Sequence, residues 1–124
     1  MGLFGKKKTS DVLIKSFRNS EISYKLEDNI LSFEFPIQST ILYPYLSIDE
    51  NSNELPIIIN IKKSDLKDLE KINTFNNNSR YFKASIKDGL LYLSYVLFMS
   101  DNVFDDLNRA LGSLKALIDE IKNF

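Results

Sequence analysis

The hydrophobic period changes several times along the chain, and each change marks an element. Val12, Leu13 and Phe17 share one face at helical spacing. Thr9 or Ser10 stands where a cap is needed, and Asp11 sits in the first turn, where negative charge meets the positive end of a helix. Asn19-Ser20 ends this segment. From Glu21 the period becomes two: Ile22, Tyr24 and Leu26 alternate with Ser23, Lys25 and Glu27, the pattern of a half-buried strand. Asp28-Asn29 is a two-residue turn. Leu31, Phe33, Phe35 and Ile37 then alternate with polar positions, and Pro36, which cannot donate to a ladder, marks a strand end or an edge. A third strand from Thr40 to Ile48 sets Leu42, Leu46 and Ile48 on one face and Tyr43 and Tyr45 on the other, broken or bulged at Pro44. After the polar turn Asp49–Asn53, the near-continuous apolar run Leu55–Ile61 predicts a strand covered on both faces. The short connections make these four strands an antiparallel meander.

Ser64 opens a second helix, with Asp65 in its first turn and Leu66, Leu69, Ile72 and Phe75 along one face; Asn76-Asn77-Asn78 ends it. Phe82, Ala84 and Ile86 alternate with Lys83, Ser85 and Lys87 in a fifth strand, and Asp88-Gly89 is a strong hairpin signal. The sixth strand, Leu90–Met99, carries Leu91, Leu93, Tyr95 and Leu97 on one face and Leu90, Tyr92, Val96 and Phe98 on the other. Such a strand is central, or its outer face meets something else. A long helix from Asp101 to Phe124 follows, capped by Ser100 or Asp101. Its stripe is Phe104, Leu107, Leu111, Leu114, Ile118 and Ile121, flanked by Val103, Ala110, Leu117 and Phe124. Gly112 stands mid-helix, where it costs about 1 kcal/mol against Ala; close approach of another backbone would account for it.

The fold class predicted is therefore α+β: an antiparallel sheet of about five to six strands with an N-terminal, a middle and a long C-terminal helix. Residues 1–8 (MGLFGKKK) read as a flexible N-terminal arm and 9–124 as a single domain. Gly2 has the place of an acylated glycine, but Lys6 stands where that signal wants Ser or Thr.

Composition narrows the chemistry. The chain contains no cysteine and no histidine, which excludes disulfides, haem, typical zinc sites and Ser-His or Cys-His nucleophiles. Catalysis would have to rest on carboxylates, Lys or Tyr. The acid pairs Asp105/Asp106 and Asp119/Glu120 are adjacent on a helix, so their side chains point about 100° apart and do not converge. Four glycines, two of them in the arm, supply no phosphate-binding loop. No cofactor and no metal are expected. A net charge of -1, with thirteen Lys against three Arg, argues against nucleic acid as the partner. No apolar run approaches the roughly 18 residues that span a bilayer. The three lysines after Gly5 lead into Thr9-Ser10-Asp11, not into the apolar core of a signal peptide. The expectation is a cytoplasmic protein without stable membrane insertion.

Ile72-Asn73-Thr74-Phe75-Asn76, then Arg80-Tyr81-Phe82-Lys83-Ala84, the hairpin at Lys87-Asp88-Gly89, Leu91–Leu97 and the long final helix resemble the YbjN family. Those are small bacterial domains described as putative sensory transduction regulators, with a fold similar to type III secretion chaperones. The most specific piece is the Asn-x-x-Asn pair followed by Arg-aromatic-x-Lys-Ala. The resemblance covers about half the chain; Thr9–Lys63 agrees only in element order. It implies an antiparallel sheet with helices packed on it, often a dimer, and no catalytic residues.

The functional expectation is a non-catalytic, self-associating, protein-binding or regulatory module of chaperone-like type. The alternatives are a domain that binds single-stranded nucleic acid or a small ligand, and a small enzyme using carboxylates or tyrosine. Asn73 and Asn76 either hold a ligand or satisfy backbone groups at the helix end. Tyr43, Tyr45, Tyr81, Tyr92 and Phe98 fall on strand faces opposite the evident core, where they meet a partner or are covered by a helix of the same chain. The candidate partner-binding residues are Tyr81, Tyr92, Val96 and Phe98.

Overall fold

The computed structural model describes residues 9–49, 51–64 and 68–124. The arm at 1–8, the side chains of Thr9 and Ser10, and the expected first turn of the second helix at Asp65 and Leu66 lie outside what is described.

Helix α1 (Thr9–Arg18) buries Leu13 and Phe17. Ser20 ends it: its Oγ donates to the Phe17 carbonyl at 2.7 Å and accepts the Ile22 N–H at 3.2 Å. Strands β1 (Tyr24–Glu27) and β2 (Ile30–Phe33) form a hairpin over Asp28-Asn29, whose φ values of 50° and 64° lie in the left-handed region that Asp and Asn tolerate. The second predicted strand does not then run on to Ile37. After Phe33 the chain leaves the sheet and makes a separate two-stranded hairpin, β3 (Phe35–Ile37) with β4 (Thr40–Leu42). Pro36 is tolerated because both strands of a lone hairpin are edges. Ile37 and Leu42 dip into the core, and Lys122 Nζ donates to Ser39 Oγ at 3.2 Å, tying the hairpin tip to the C-terminal helix. Past Pro44 the chain rejoins the sheet as β5 (Tyr45–Ser47), beside β2, and continues into β6 (Glu54–Lys63).

Helix α2 (Leu69–Asn78) buries Ile72 and Phe75. Strands β7 (Lys83–Lys87) and β8 (Leu90–Phe98) close over Asp88-Gly89, at φ 53° and 76°. β8 inserts beside β6, giving a six-stranded antiparallel sheet in the order β1-β2-β5-β6-β8-β7. The final helical segment begins at Val103, two residues later than predicted, with Ser100 Oγ accepting the Asn102 N–H at 3.1 Å. It is not one continuous α-helix. α3 (Val103–Ser113) tightens into a 3-10 turn over Leu114–Leu117 and resumes as α4 (Ile118–Lys122). The change comes directly after Gly112-Ser113, where Ser113 Oγ bonds back to the Ala110 carbonyl at 2.6 Å. A Cβ added at Gly112 would meet nothing within 4 Å, so close backbone approach is not the reason for this glycine.

One face of the sheet carries Leu31, Phe33, Leu46, Leu55, Ile57, Ile59, Leu91, Leu93 and Leu97, all buried. The apolar stripes of all four helices join the same cluster. Each such side chain contributes about 1.5–3 kcal/mol by leaving water. Aromatic contacts tie α1 into the cluster: Phe17 meets Phe33 at 4.9 Å and Phe104 edge-on at 5.3 Å between ring centroids. The expectation that β6 is covered on both faces is not met. Leu55, Ile57 and Ile59 are buried, whereas Pro56 and Asn60, of opposite parity, are exposed and Ile58 is half-buried.

Candidate functional site

Parity within each strand defines the second sheet face. Ile30 on β2, Tyr45 on β5, Pro56 and Ile58 on β6, and Leu90, Tyr92, Val96 and Phe98 on β8 all point away from the buried cluster. Register brings them together: Tyr45 is opposite Ile58, Pro56 opposite Val96, and Tyr92 lies between Asn60 and Ser85. Phe98 is 63% exposed, Ile30 43% and Val96 39%. Tyr45, Ile58, Asn60, Leu90 and Tyr92, with Lys87 and Asp88 from the hairpin turn, line a shallow depression of about 420 Å³ on this face. Residues two apart on a strand are separated by about 7 Å. Tyr92, Val96 and Phe98 therefore extend the apolar surface from the depression along the length of β8.

Three of the four candidate partner-binding residues share this face; Tyr81 does not join them. It precedes β7 and packs edge-on against Tyr95 at 5.6 Å, on the side of the buried cluster. Tyr95 belongs to that side by register, since it lies opposite the fully buried Ile57. Tyr43 is also elsewhere. It stands at the Pro44 break and lines a different depression with Tyr24, Lys25, Phe33 and Glu34. The sequence reading missed Ile30, Pro56 and Ile58. For Pro56 and Ile58 the signal was the alternation inside Leu55–Ile61, hidden because apolar residues stand at both parities.

The Asn-x-x-Asn pair separates into unlike halves. Asn73 is exposed. The Asn76 side chain behaves as a peptide unit: its Nδ2 donates to the Ala84 carbonyl at 3.0 Å and its Oδ1 accepts the Ala84 N–H at 2.7 Å. Lys83 Nζ reaches back to the carbonyls of Asn76 (2.8 Å) and Ser79 (2.7 Å), meeting the negative end of α2, and Ser79 Oγ donates to the Phe82 carbonyl. Asn76, Ser79, Lys83 and Ala84 thus latch the end of α2 onto the edge of β7. The backbone satisfied is a strand eight residues on, not only the helix end and its turn.

The acid pairs do not converge. Asp106 bonds Arg109 at 3.2 Å, and Glu120 Oε1 accepts from Asn78 Nδ2 at 3.0 Å. A third polar group lies at the start of α2. Asp68 is nearly buried, accepts from Ser64 Oγ, and has Lys62 Nζ at 3.5 Å. The Ser64 hydroxyl, with Lys62 and Lys71 adding their charge, holds the Asp68 carboxyl below its ordinary value against the opposing effect of burial. Among the described residues no group of three or more carboxylates gathers where it would hold a metal ion, and no helix is long and apolar enough to cross a membrane.

No protein-family model matches the chain, and no curated protein matches it.

Proposed function

We propose that this protein is a non-catalytic binding module of the regulatory, chaperone-like kind implied by its resemblance to the YbjN family, acting in the cytoplasm. It takes a protein partner on the open face of the sheet and also associates with itself. The observation that carries the reading is the apolar surface at Phe98, Val96 and Ile30, which sits on a strand face while every helix among the described residues packs on the other. Exposed apolar surface of this kind, with aromatic rings and with Glu54, Lys63 and Lys87 at its ends, is the composition of an interface centre with a charged rim. Asp88 is the one acid lining the depression and Lys87 the one cation. That supports a protein partner over carboxylate catalysis, which needs two converging acids, and over a single-stranded nucleic acid, which needs a track of cations.

The test is the double substitution Tyr92→Thr/Phe98→Thr, which keeps β propensity while removing the rings. Proteins captured from the native organism by the intact chain should bind the variant at least tenfold more weakly, with the melting temperature nearly unchanged. Unfolding of the variant would place these residues in the core. Undiminished capture would put the partner elsewhere, and binding of a single-stranded oligonucleotide lost in both variant and salt would replace the protein partner.

A further inference from the structure

Two strands end the sheet, and their outer edges differ. In a two-residue hairpin the pair flanking the turn exchanges both backbone bonds, and bonded and non-bonded pairs alternate from there. On β7 the bonded residues are Lys87, Ser85 and Lys83, so the N–H and C=O of Ala84 and Ile86 point outward. At Ala84 both groups are occupied by Asn76. On β1 the same alternation spends Glu27 and Lys25 on β2 and turns the groups of Tyr24 and Leu26 outward. Among the described residues β1 has β2 as its one strand neighbour, and Lys25, Leu26 and Glu27 are all exposed. An open edge is a template for another strand.

The geometry points to β1 of a second copy as that strand, paired antiparallel with Leu26 opposite Leu26. This gives the self-association part of the preceding reading an address, and it stands on different residues from the Tyr92/Phe98 face. Two-fold pairing of identical strands sets one residue opposite itself, so the choices can be enumerated. Centring on Lys25 or Glu27 sets like charges directly opposite each other in a non-bonded pair, where side chains lie closest. Centring on Tyr24 requires the Ile22 N–H, which Ser20 Oγ already accepts. Centring on Leu26 matches outward groups to outward groups. It also sets Lys25 of each copy against Glu27 of the other, in the non-bonded pairs where side chains lie closest. These two side chains already meet within one chain at 3.3 Å, on the same face and 67% and 68% exposed, so the pairing closes a ring of four alternating charges. Leu26, 41% exposed at the margin of the buried face, gains an identical neighbour. Four residues a side is small against the roughly 800 Å² per partner of a stable complex, so the association is weak, on the order of 100 μM.

Charge reversal tests it. Sedimentation equilibrium of the full chain, up to about 1 mM, should show dimer for the unaltered protein and at least tenfold weaker association for K25E or E27K alone. An equimolar mixture of the two variants should regain at least tenfold, because only the mixed pair is complementary. Leu26→Pro, which removes an outward N–H at an edge that tolerates proline, should give the same loss without a charge change. A strict monomer at about 1 mM, a K25E chain that dimerises normally, or a mixture no more associated than its components would overturn the assignment. Y92T/F98T should leave this dimer intact; if it alone abolishes association, the sheet face is the self-contact and β1 is not.

Discussion

Asn76 shows how much one side chain does when its amide has the geometry of a peptide. It supplies a donor and an acceptor to Ala84 at 3.0 and 2.7 Å, in a half-buried position. Asn76→Ala leaves the Ala84 N–H and C=O without these partners, a cost of about 1–3 kcal/mol measurable as a lower urea midpoint with unchanged slope. Asn76→Asp keeps the acceptor and loses the donor, so it should fall between. The asparagines were legible as backbone-satisfying residues, but the backbone they satisfy was not. Helical spacing makes Asn73 and Asn76 neighbours, and only the docking of α2 on β7 gives one a strand to bond and leaves the other in water. Tyr81 is a similar case: a position two residues before its strand follows no parity rule, and its ring turns toward Tyr95.

At the level of elements, boundaries set by turn chemistry were readable and boundaries set by tertiary packing were not. Asp28-Asn29 and Asp88-Gly89 announced their hairpins because those residue types tolerate positive φ. No turn-type residue marks the exit from the sheet at Glu34, so alternation through Phe33, Phe35 and Ile37 read as one strand. The final helix was found by its stripe, yet its 3-10 turn was not, because i+3 and i+4 spacings both keep Leu114, Leu117 and Ile118 on the buried side. Gly112 has open space where a Cβ would stand and no positive φ. Gly112→Ala should therefore stabilise the protein by about 0.5–1 kcal/mol, read as a raised melting temperature. A decrease would show that the transition after Ser113 needs the glycine's freedom.

For the whole molecule, the α+β class and the six-stranded antiparallel sheet were legible, but the open face was not. Periodicity reports that β8 and β6 are apolar on both sides; it does not report that every helix lies on one of them. The pH response also belongs to this scale. With no histidine, no side chain has its ordinary pKa between about 5 and 8, so stability should be flat from about pH 7 to 5. Asp68 has its folded pKa lowered from 3.8, chiefly by Ser64. A depressed carboxylate stabilises the fold above its unfolded value, and that stability is lost as pH falls through the folded value. Thermal unfolding of the unaltered chain and of Asp68→Asn should thus differ by a constant amount from pH 7 to 5 and converge below about pH 4. Convergence at higher pH would mean that another group controls the acid limb.

The Asn76 latch bears on how many copies an assembly can hold. A sheet with two free edges propagates, each added copy offering the next a fresh template, and the product is a fibre. Here one of the two ends is partly closed, because Asn76 holds both outward groups of Ala84 and leaves β7 only those of Ile86. When two chains join through β1, the resulting twelve-stranded sheet is bounded on both sides by β7, whose Ala84 is already bonded to its own helix. A pair joined through β1 would then have less edge to offer a third copy than β1 offered the second. An asparagine that touches no partner would thus bias the stoichiometry, and Asn76→Ala, beyond its cost in stability, would free more of that edge for further growth.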